Sequence, residues 1–397
     1  MKKLLLFGAG KIGRSFIAPI FDKAGYKIVF VDIDTDIVEL INSRKSYEVY
    51  ILDSNNPENE KVIQVKNISA IQISETEKLI KEIKETDIIT ISVGKRGMLN
   101  LAETISKGLL TRFNESRQNS VNIILAENIK DAAELFRESL EKYLPNSAIK
   151  NIGLIETSIG KMVPIMTAKQ LKKDPLAVYA EPYNDLIVDE IGFINGVPKI
   201  KGLAPKKNMK AWVDRKIYIH NMGHAVLAYQ ANFTNPSLKY TWEALENEQI
   251  KTVTKNAMTQ SAEILMAISL DEFTKEELTM HIDDLLDRFS NQALGDTIFR
   301  VGCDLSRKLN SDDRLMLPIL EGFKKGVNYS LILESWVKAC YFSAKDEKGL
   351  LFSEDKKFKE RFGENPPKIL EKHCKLDRIV YAKIYSEVEQ ICKRLKL

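Results

Sequence analysis

Short β-branched and aliphatic runs at residues 4–7, 27–32, 87–93, 121–126 and 153–157 alternate with amphipathic stretches at 12–24, 36–43 and 99–110. Strand-length apolar runs separated by helical periods are the pattern of βαβ units, so a twisted parallel sheet with helices on both faces is predicted. The rhythm breaks between 47 and 73. Extended pieces at 47–52, 61–65 and 70–73 surround a turn-rich 53–59, which predicts an antiparallel insertion. Residues 111–120 are polar and lack a period, and read as an exposed loop.

Past about residue 195 the strand signals fade. Helical patterns follow at 209–230, 242–270, 275–289, 313–325, 330–342 and 376–396, after a Gly, Pro and Asn cluster at 194–205 that reads as a hinge. The predicted organisation is an α/β domain over 1–195 and a mainly helical, all-α domain over 196–397, with the active site expected in the cleft between them. The length of 397 residues agrees, because one core seldom serves more than about 250 residues.

The first strand run leads directly into Gly8, Ala9, Gly10, Lys11, Ile12 and Gly13, the pattern GAGKIG at a helix start. The first glycine permits a tight turn, the second lets a pyrophosphate approach the backbone, and the third lets helix and strand pack closely. The second run ends in Asp32, 19 residues after Gly13. A carboxylate there accepts hydrogen bonds from ribose hydroxyls and repels a 2'-phosphate, which selects NAD over NADP. Asp34 and Asp36 are available to cap the next helix, leaving Asp32 free. With Val93 and Gly94 after the third run, these residues form the predicted cofactor site of a Rossmann-like, doubly wound domain.

Composition narrows the partners to small molecules. Apolar residues are 44% and charged residues 29% of the chain, and 59 basic against 55 acidic side chains leave only +4, which is no nucleic-acid footprint. The apolar run at 4–7 is far too short for a secretion signal or a membrane span, so no membrane role and a cytoplasmic location are expected. Cys303, Cys340, Cys374 and Cys392 are too widely spaced for a metal pair and read as free thiols. His220, His224, His281 and His373 are scattered, so no catalytic metal is expected.

Candidate chemistry lies in WVDRKIYIHNMGHAVLAYQ. On a regular helix His224 falls roughly 80° and Asn221 roughly 140° around from Lys216, so all three can face one pocket. Gly223 removes bulk beside them, leaving room for a substrate or the other domain. Oxidising an alcohol needs a group to take the hydroxyl proton and donors for the developing alkoxide. Neutral lysine is such a base once burial or a neighbouring cation lowers its pKa by roughly three units. Asn221 and Asn128 can supply neutral donors. His220 falls in the same arc as His224, and the pattern does not choose between them. Arg300, Arg307 and Lys308, with Arg314 nearby, are candidates to clamp a phosphate or vicinal hydroxyls, or else to pair with Asp312 and Asp313.

The segments GAGKIGRSFIAPIF, ILAENI, DPLAVYAEPYNDLIVD, VDRKIYIHNMGHA and RVGCDLSRKLNSDDRL resemble the successive signatures of the polyol-specific long-chain dehydrogenase/reductase family, from the first strand to about residue 330. The resemblance implies Lys216 as base, Asn128 and Asn221 holding the oxyanion, and His224 orienting the substrate or the lysine. It implies NAD-dependent interconversion of a hexitol phosphate and a ketose phosphate, mannitol 1-phosphate and fructose 6-phosphate, by a monomer or small homo-oligomer. Relatives acting on nonphosphorylated polyols or hexonates (mannitol, mannonate, altronate) are the nearest alternative, and a catalytically silent dinucleotide-binding sensor the second. Two positions depart from the family: Lys11 stands where asparagine is usual, and Gly160–Lys161 replaces an Asp-Arg pair.

Overall fold

A computed structural model describes residues 1–115, 120–164 and 166–397, which form two compact units, Met1–Val213 and Asp214–Leu397. The first unit carries strands β1 (Lys3–Phe7), β2 (Lys27–Asp32), β3 (Tyr47–Ile51), β4 (Lys61–Val65), β5 (Ile68–Gln72), β6 (Ile88–Ile91), β7 (Val121–Leu125), β8 (Ile152–Ser158), β9 (Val178–Ala180), β10 (Leu186–Asp189) and β11 (Leu203–Lys206). Eight of them form one sheet in the order β11-β10-β8-β7-β6-β1-β2-β5. From β5 to β8 every pairing is parallel, and β10 then joins β8 antiparallel. Strand order reverses direction between β1 and β6, the point at which such sheets open a crevice for ligands.

Alternation along β1 shows why the sheet is covered on both sides. Leu4 and Leu6 belong to one core with Phe16, Ile20, Val38 and Ile41 of the helices 11–23 and Thr35–Arg44. Leu5 and Phe7 belong to the other, with Leu79, Ile83, Ile105 and Leu109 of Thr76–Glu85 and Ala102–Glu115. A strand buried on both faces reads as a continuous apolar run, as these do.

The expected antiparallel insertion at 47–73 is only half present. β3 and β4 pair antiparallel from Tyr47↔Val65 to Ile51↔Lys61, but β5 leaves them and lies parallel to β2 in the main sheet. Burial explains the split: β3 buries alternate residues, as a one-faced ribbon does, whereas β5 buries Ile68 and Ala70 toward one core and Ile71 toward the other. The other neighbour of β3 is β9, in parallel.

Two further expectations change. Residues 111–115 of the predicted loop complete the helix Ala102–Glu115, and 116–119 lie outside the described residues. That helix is drawn out by Arg112, whose guanidinium donates to the carbonyls of Ile83, Lys84, Thr86 and Ser120 at 2.7–3.3 Å. Strand β11 lies within the predicted hinge; it holds Pro205, which a sheet tolerates because β11 is an edge strand.

The second unit is helical, as predicted. Met222–Thr234 is buried on nearly every side, the mark of a central helix. Against it pack Glu248–Ile268, Ser330–Cys340 and the short Thr241–Glu246 and Ile298–Gly302, while Lys275–Phe289 and Met316–Lys325 pack on Glu248–Ile268 and Ala382–Leu395 on Ser330–Cys340. The single helix expected over 242–270 is broken at Asn247, which caps Glu248–Ile268 by accepting from the Gln249 and Ile250 amides. All four cysteines are free thiols. Among the described residues no helix is long and apolar enough to cross a membrane.

Arg112→Leu strips four carbonyls of a charged donor, and should destabilise the first unit by about 3 kcal/mol in urea unfolding. A loss under about 0.5 kcal/mol would show that the guanidinium is not what secures this helix end.

Candidate active site

At the end of β1 the chain turns through Gly8, Ala9 and Gly10 into a helix that begins at Lys11. Gly8 has φ +102°, and a Cβ on it would lie 2.2 Å from the Ser92 carbonyl oxygen. A Cβ on Gly13 would lie 2.1 Å from the Gly8 oxygen. Both glycines are therefore demanded by the fold. Gly10 is different: a Cβ there would meet nothing within 4 Å, so its bare backbone faces open space.

Asp32 ends β2 beside this turn. Its Oδ2 accepts the Ala9 amide at 2.6 Å and its Oδ1 the Asp34 amide at 3.0 Å. Asp34 caps the next helix through the Ile37 amide. A carboxylate has about four acceptor positions, so Asp32 keeps capacity for ribose hydroxyls. The Lys11 ammonium donates to the Pro164 carbonyl at 3.3 Å, and Ile12 is half-buried in the first turn. The glycine cradle and this carboxylate together fit an adenine dinucleotide.

Val93 and Gly94 follow β6, but their amides are turned onto Glu127 Oε1, at 2.6 and 2.8 Å. Burial raises the Glu127 pKa, outweighing the two donors. Glu127 went unnoticed in the sequence, although it directly precedes Asn128, which is exposed beyond the end of β7. Where the family's Asp-Arg pair is missing, Lys161 is buried with its ammonium 2.6 Å from the Tyr183 carbonyl and over the Phe16 ring.

Each unit contains one widened helical turn. In the first, Gly13–Ile17 is a π-helix: the Ala18 amide reaches back five residues to the Gly13 carbonyl, and the bypassed Arg14 carbonyl accepts the Tyr47 hydroxyl at 2.7 Å. In the second, Lys216–Asn221 is a π-helix: the Met222 amide donates to the Ile217 carbonyl, and the bypassed Tyr218 carbonyl accepts Ser261 Oγ at 2.7 Å. The regular-helix angles expected for Lys216 and Asn221 do not apply here. A π-turn holds about 4.4 residues, so five residues pass one turn by roughly 50°, which sets Asn221 closer to the Lys216 side than the regular spacing would.

The Lys216 side chain is half-buried. Burial, with the Arg314 charge adding to it, lowers its pKa to about 7. His224 stacks on Phe289 with ring centroids 4.4 Å apart and 7° between planes. Its Nε2 is 3.5 Å from Asp296 Oδ2, and the other oxygen of Asp296 pairs with Arg300. His220 lies 6.4 Å from His224 and 5.6 Å from Phe289. Burial first, then Arg288 for His220 and Arg300 for His224, hold both imidazoles well below the usual histidine range. His224 thus has a carboxylate 3.5 Å away without a hydrogen bond to it, while His220 packs on Phe289 and feels the charges of Arg288 and Lys216.

The space beside Gly223 is already filled, which corrects the expectation of room there for a substrate or the other domain: a Cβ would lie 2.6 Å from Met258 Sδ. Among the basic residues, Arg307 pairs with Asp304 at 2.6 Å and Asp313 at 3.2 Å, while Arg314 binds Asp313 at 2.6 Å. The buried Lys308 ammonium donates to the Val301 carbonyl at 2.6 Å, and burial, then Arg314, lower its pKa to about 8. Asp296 was missed: it lies ahead of Thr297, the N-cap of the helix Ile298–Gly302, so no helical period announced its pair with Arg300.

The glycines make separable predictions. Gly13→Ala should cost about 2–3 kcal/mol of stability because the new methyl meets backbone. Gly10→Ala should leave stability within about 0.5 kcal/mol while weakening NADH binding tenfold or more, about 1.4 kcal/mol by fluorescence titration. Unchanged NADH affinity in Gly10→Ala would remove the pyrophosphate from this turn.

The family model described as mannitol dehydrogenase Rossmann domain matches residues 2–202, and that described as mannitol dehydrogenase C-terminal domain matches 208–391. The chain is 32% identical over 402 residues to the mannitol-1-phosphate 5-dehydrogenase of Lactococcus lactis subsp. lactis (strain IL1403), with all of both chains covered. Its fold is shared with a D-sorbitol dehydrogenase in substrate-free form, at TM-score 0.80 and 16% identity over 98% of this chain and 93% of that one. It is likewise shared with the mannitol 2-dehydrogenase of Pseudomonas fluorescens, a ternary complex with NAD and D-mannitol, at TM-score 0.72 and 14% identity over 100% and 92%. The chain belongs to the mannitol dehydrogenase family of oxidoreductases.

Proposed function

We propose that this chain interconverts mannitol 1-phosphate and fructose 6-phosphate with NAD, and that Lys216 is the general base. The observation that carries the assignment is the Lys216 amine, titrating near 7 in one turn with Asn221. NAD, when bound, would supply the acceptor for a hydride from the carbinol carbon. Gly8, Ala9, Gly10, Lys11, Ile12 and Gly13 would hold its phosphates, Asp32 its adenosine ribose, and the Val93–Gly94 turn its neighbouring surface.

The neutral Lys216 amine takes the hydroxyl proton as the carbonyl forms, and the ammonium returns it in the reverse direction. A lysine at its ordinary pKa would be almost wholly protonated at neutral pH and unable to start the oxidation. Asn221 and Asn128 donate to the developing alkoxide without competing for the proton. His224, held neutral and backed by Asp296, orients a substrate hydroxyl or the amine. Arg300, Arg307 and Lys308 are the proposed phosphate-binding residues, supported by the 32% identity to a relative named mannitol-1-phosphate 5-dehydrogenase. One observation favours a nonphosphorylated polyol instead: Arg300 and Arg307 already face carboxylates.

NADH consumption with fructose 6-phosphate, fructose, fructuronate and tagaturonate decides the substrate. Fructose 6-phosphate is expected to be turned over; activity confined to the unphosphorylated ketoses would refute the phosphate assignment. Lys216→Ala should lower kcat roughly 10²–10⁴-fold. With the amine neutral above its pKa, polyol oxidation should rise with pH up to about 7 and then level, while ketose reduction should fall above it. Arg314→Gln removes a charge that lowers this pKa, so both limbs should move to higher pH.

A further inference from the structure

A π-turn inside a long helix leaves one carbonyl without its usual amide, and such turns persist only where something else takes that oxygen. In the second unit the bypassed oxygen is that of Tyr218, a buried residue to which bulk water has little access. Ser261, 0% exposed on the helix Glu248–Ile268, places its hydroxyl 2.7 Å from it. The approach of that helix is itself built in. Gly223 and Met258 make the contact one turn away, and a side chain at Gly223 would displace the Met258 thioether that fills the space between the helices. The first unit repeats the device independently, with the Tyr47 hydroxyl on the bypassed Arg14 carbonyl just after the glycine turn.

Without the serine hydroxyl the buried Tyr218 carbonyl loses its partner, and it regains one within its own helix only if the Met222 amide moves back to it, restoring ordinary helix. That change rotates everything after the turn relative to Lys216 and returns Asn221 to roughly 140° away. We propose that Ser261 is a positioning residue: its hydroxyl holds the Lys216–Asn221 turn open and so sets Asn221 and His224 against the amine. The catalytic consequence rests on Lys216 being the base.

Ser261→Ala tests this, since alanine suits a helix interior. The expected result is a kcat at least tenfold lower with the KM for NADH within twofold of wild type, and an apparent pKa displaced from that of wild type in the pH–rate profile. In a crystal structure of the variant, the Met222 amide should donate to the Tyr218 carbonyl. Wild-type kcat and pH profile, or a turn still wide in the crystal, would overturn the proposal. Should Ser261→Ala not accumulate as folded protein, Ser261→Cys, with a weaker donor of similar size, is expected to show the same changes at smaller amplitude, and an unchanged profile would count against the idea. Undiminished turnover in Lys216→Ala would strike at the base assignment alone, because the crystal structure of Ser261→Ala reports on the turn whatever Lys216 does.

Discussion

Withdrawing one ammonium group from water is the constraint on which the second unit is organised. Lowering the Lys216 pKa from 10.5 to about 7 corresponds to roughly 5 kcal/mol of preference for the neutral amine. That is a large fraction of a typical domain's entire stability. The surroundings sustain it because they are otherwise well satisfied: the central helix Met222–Thr234 is buried on almost every side, and the Arg314 charge that adds to the effect is held in place by Asp313. Both histidines are kept neutral by burial as well, so at neutral pH neither adds a positive charge to this part of the unit.

The first unit shows the complementary logic. Its sheet is stabilised on two faces by unbroken apolar strands, and that rigid platform leaves the strand ends free to carry polar turns. Gly8 and Gly13 serve this platform, since neither position admits a side chain; Gly10 serves only what comes from outside. Asp32 does both, fixing the Ala9 amide with one oxygen while retaining acceptor capacity.

Much of this was legible because it is local. The glycine spacing, the strand-end Asp32 and the helix Lys275–Phe289, bounded by the Thr274 and Glu277 capping box, are written in adjacent residues. What escaped notice is non-local. The π-turn at Lys216 depends on a hydroxyl on the helix Glu248–Ile268, and nothing in IYIHN itself announces it. The strand β5 looks like a continuation of the β3–β4 ribbon until its two-faced burial is known. Glu127 and Asp296 were passed over because acidic residues are common, and their partners are backbone amides and a histidine brought close by the fold.

The arginines between residues 300 and 314 pose a question that charge counting alone does not answer. Arg300 faces Asp296 and Arg307 faces Asp304 and Asp313, which at first sight leaves no cation for a phosphate. A guanidinium, however, has five N–H donors in a fixed plane, and Arg300 meets Asp296 through Nη2 with its side chain still 37% exposed. A phosphate can take the outer edge while the carboxylate keeps the inner one. The Asp296 pair then fixes the guanidinium plane in advance, lowering the entropy lost on binding, and the other oxygen of the same carboxylate lies 3.5 Å from His224 Nε2 without a hydrogen bond between them. One acid thereby lies against both the group proposed to read the phosphate and the group proposed to read the hydroxyls.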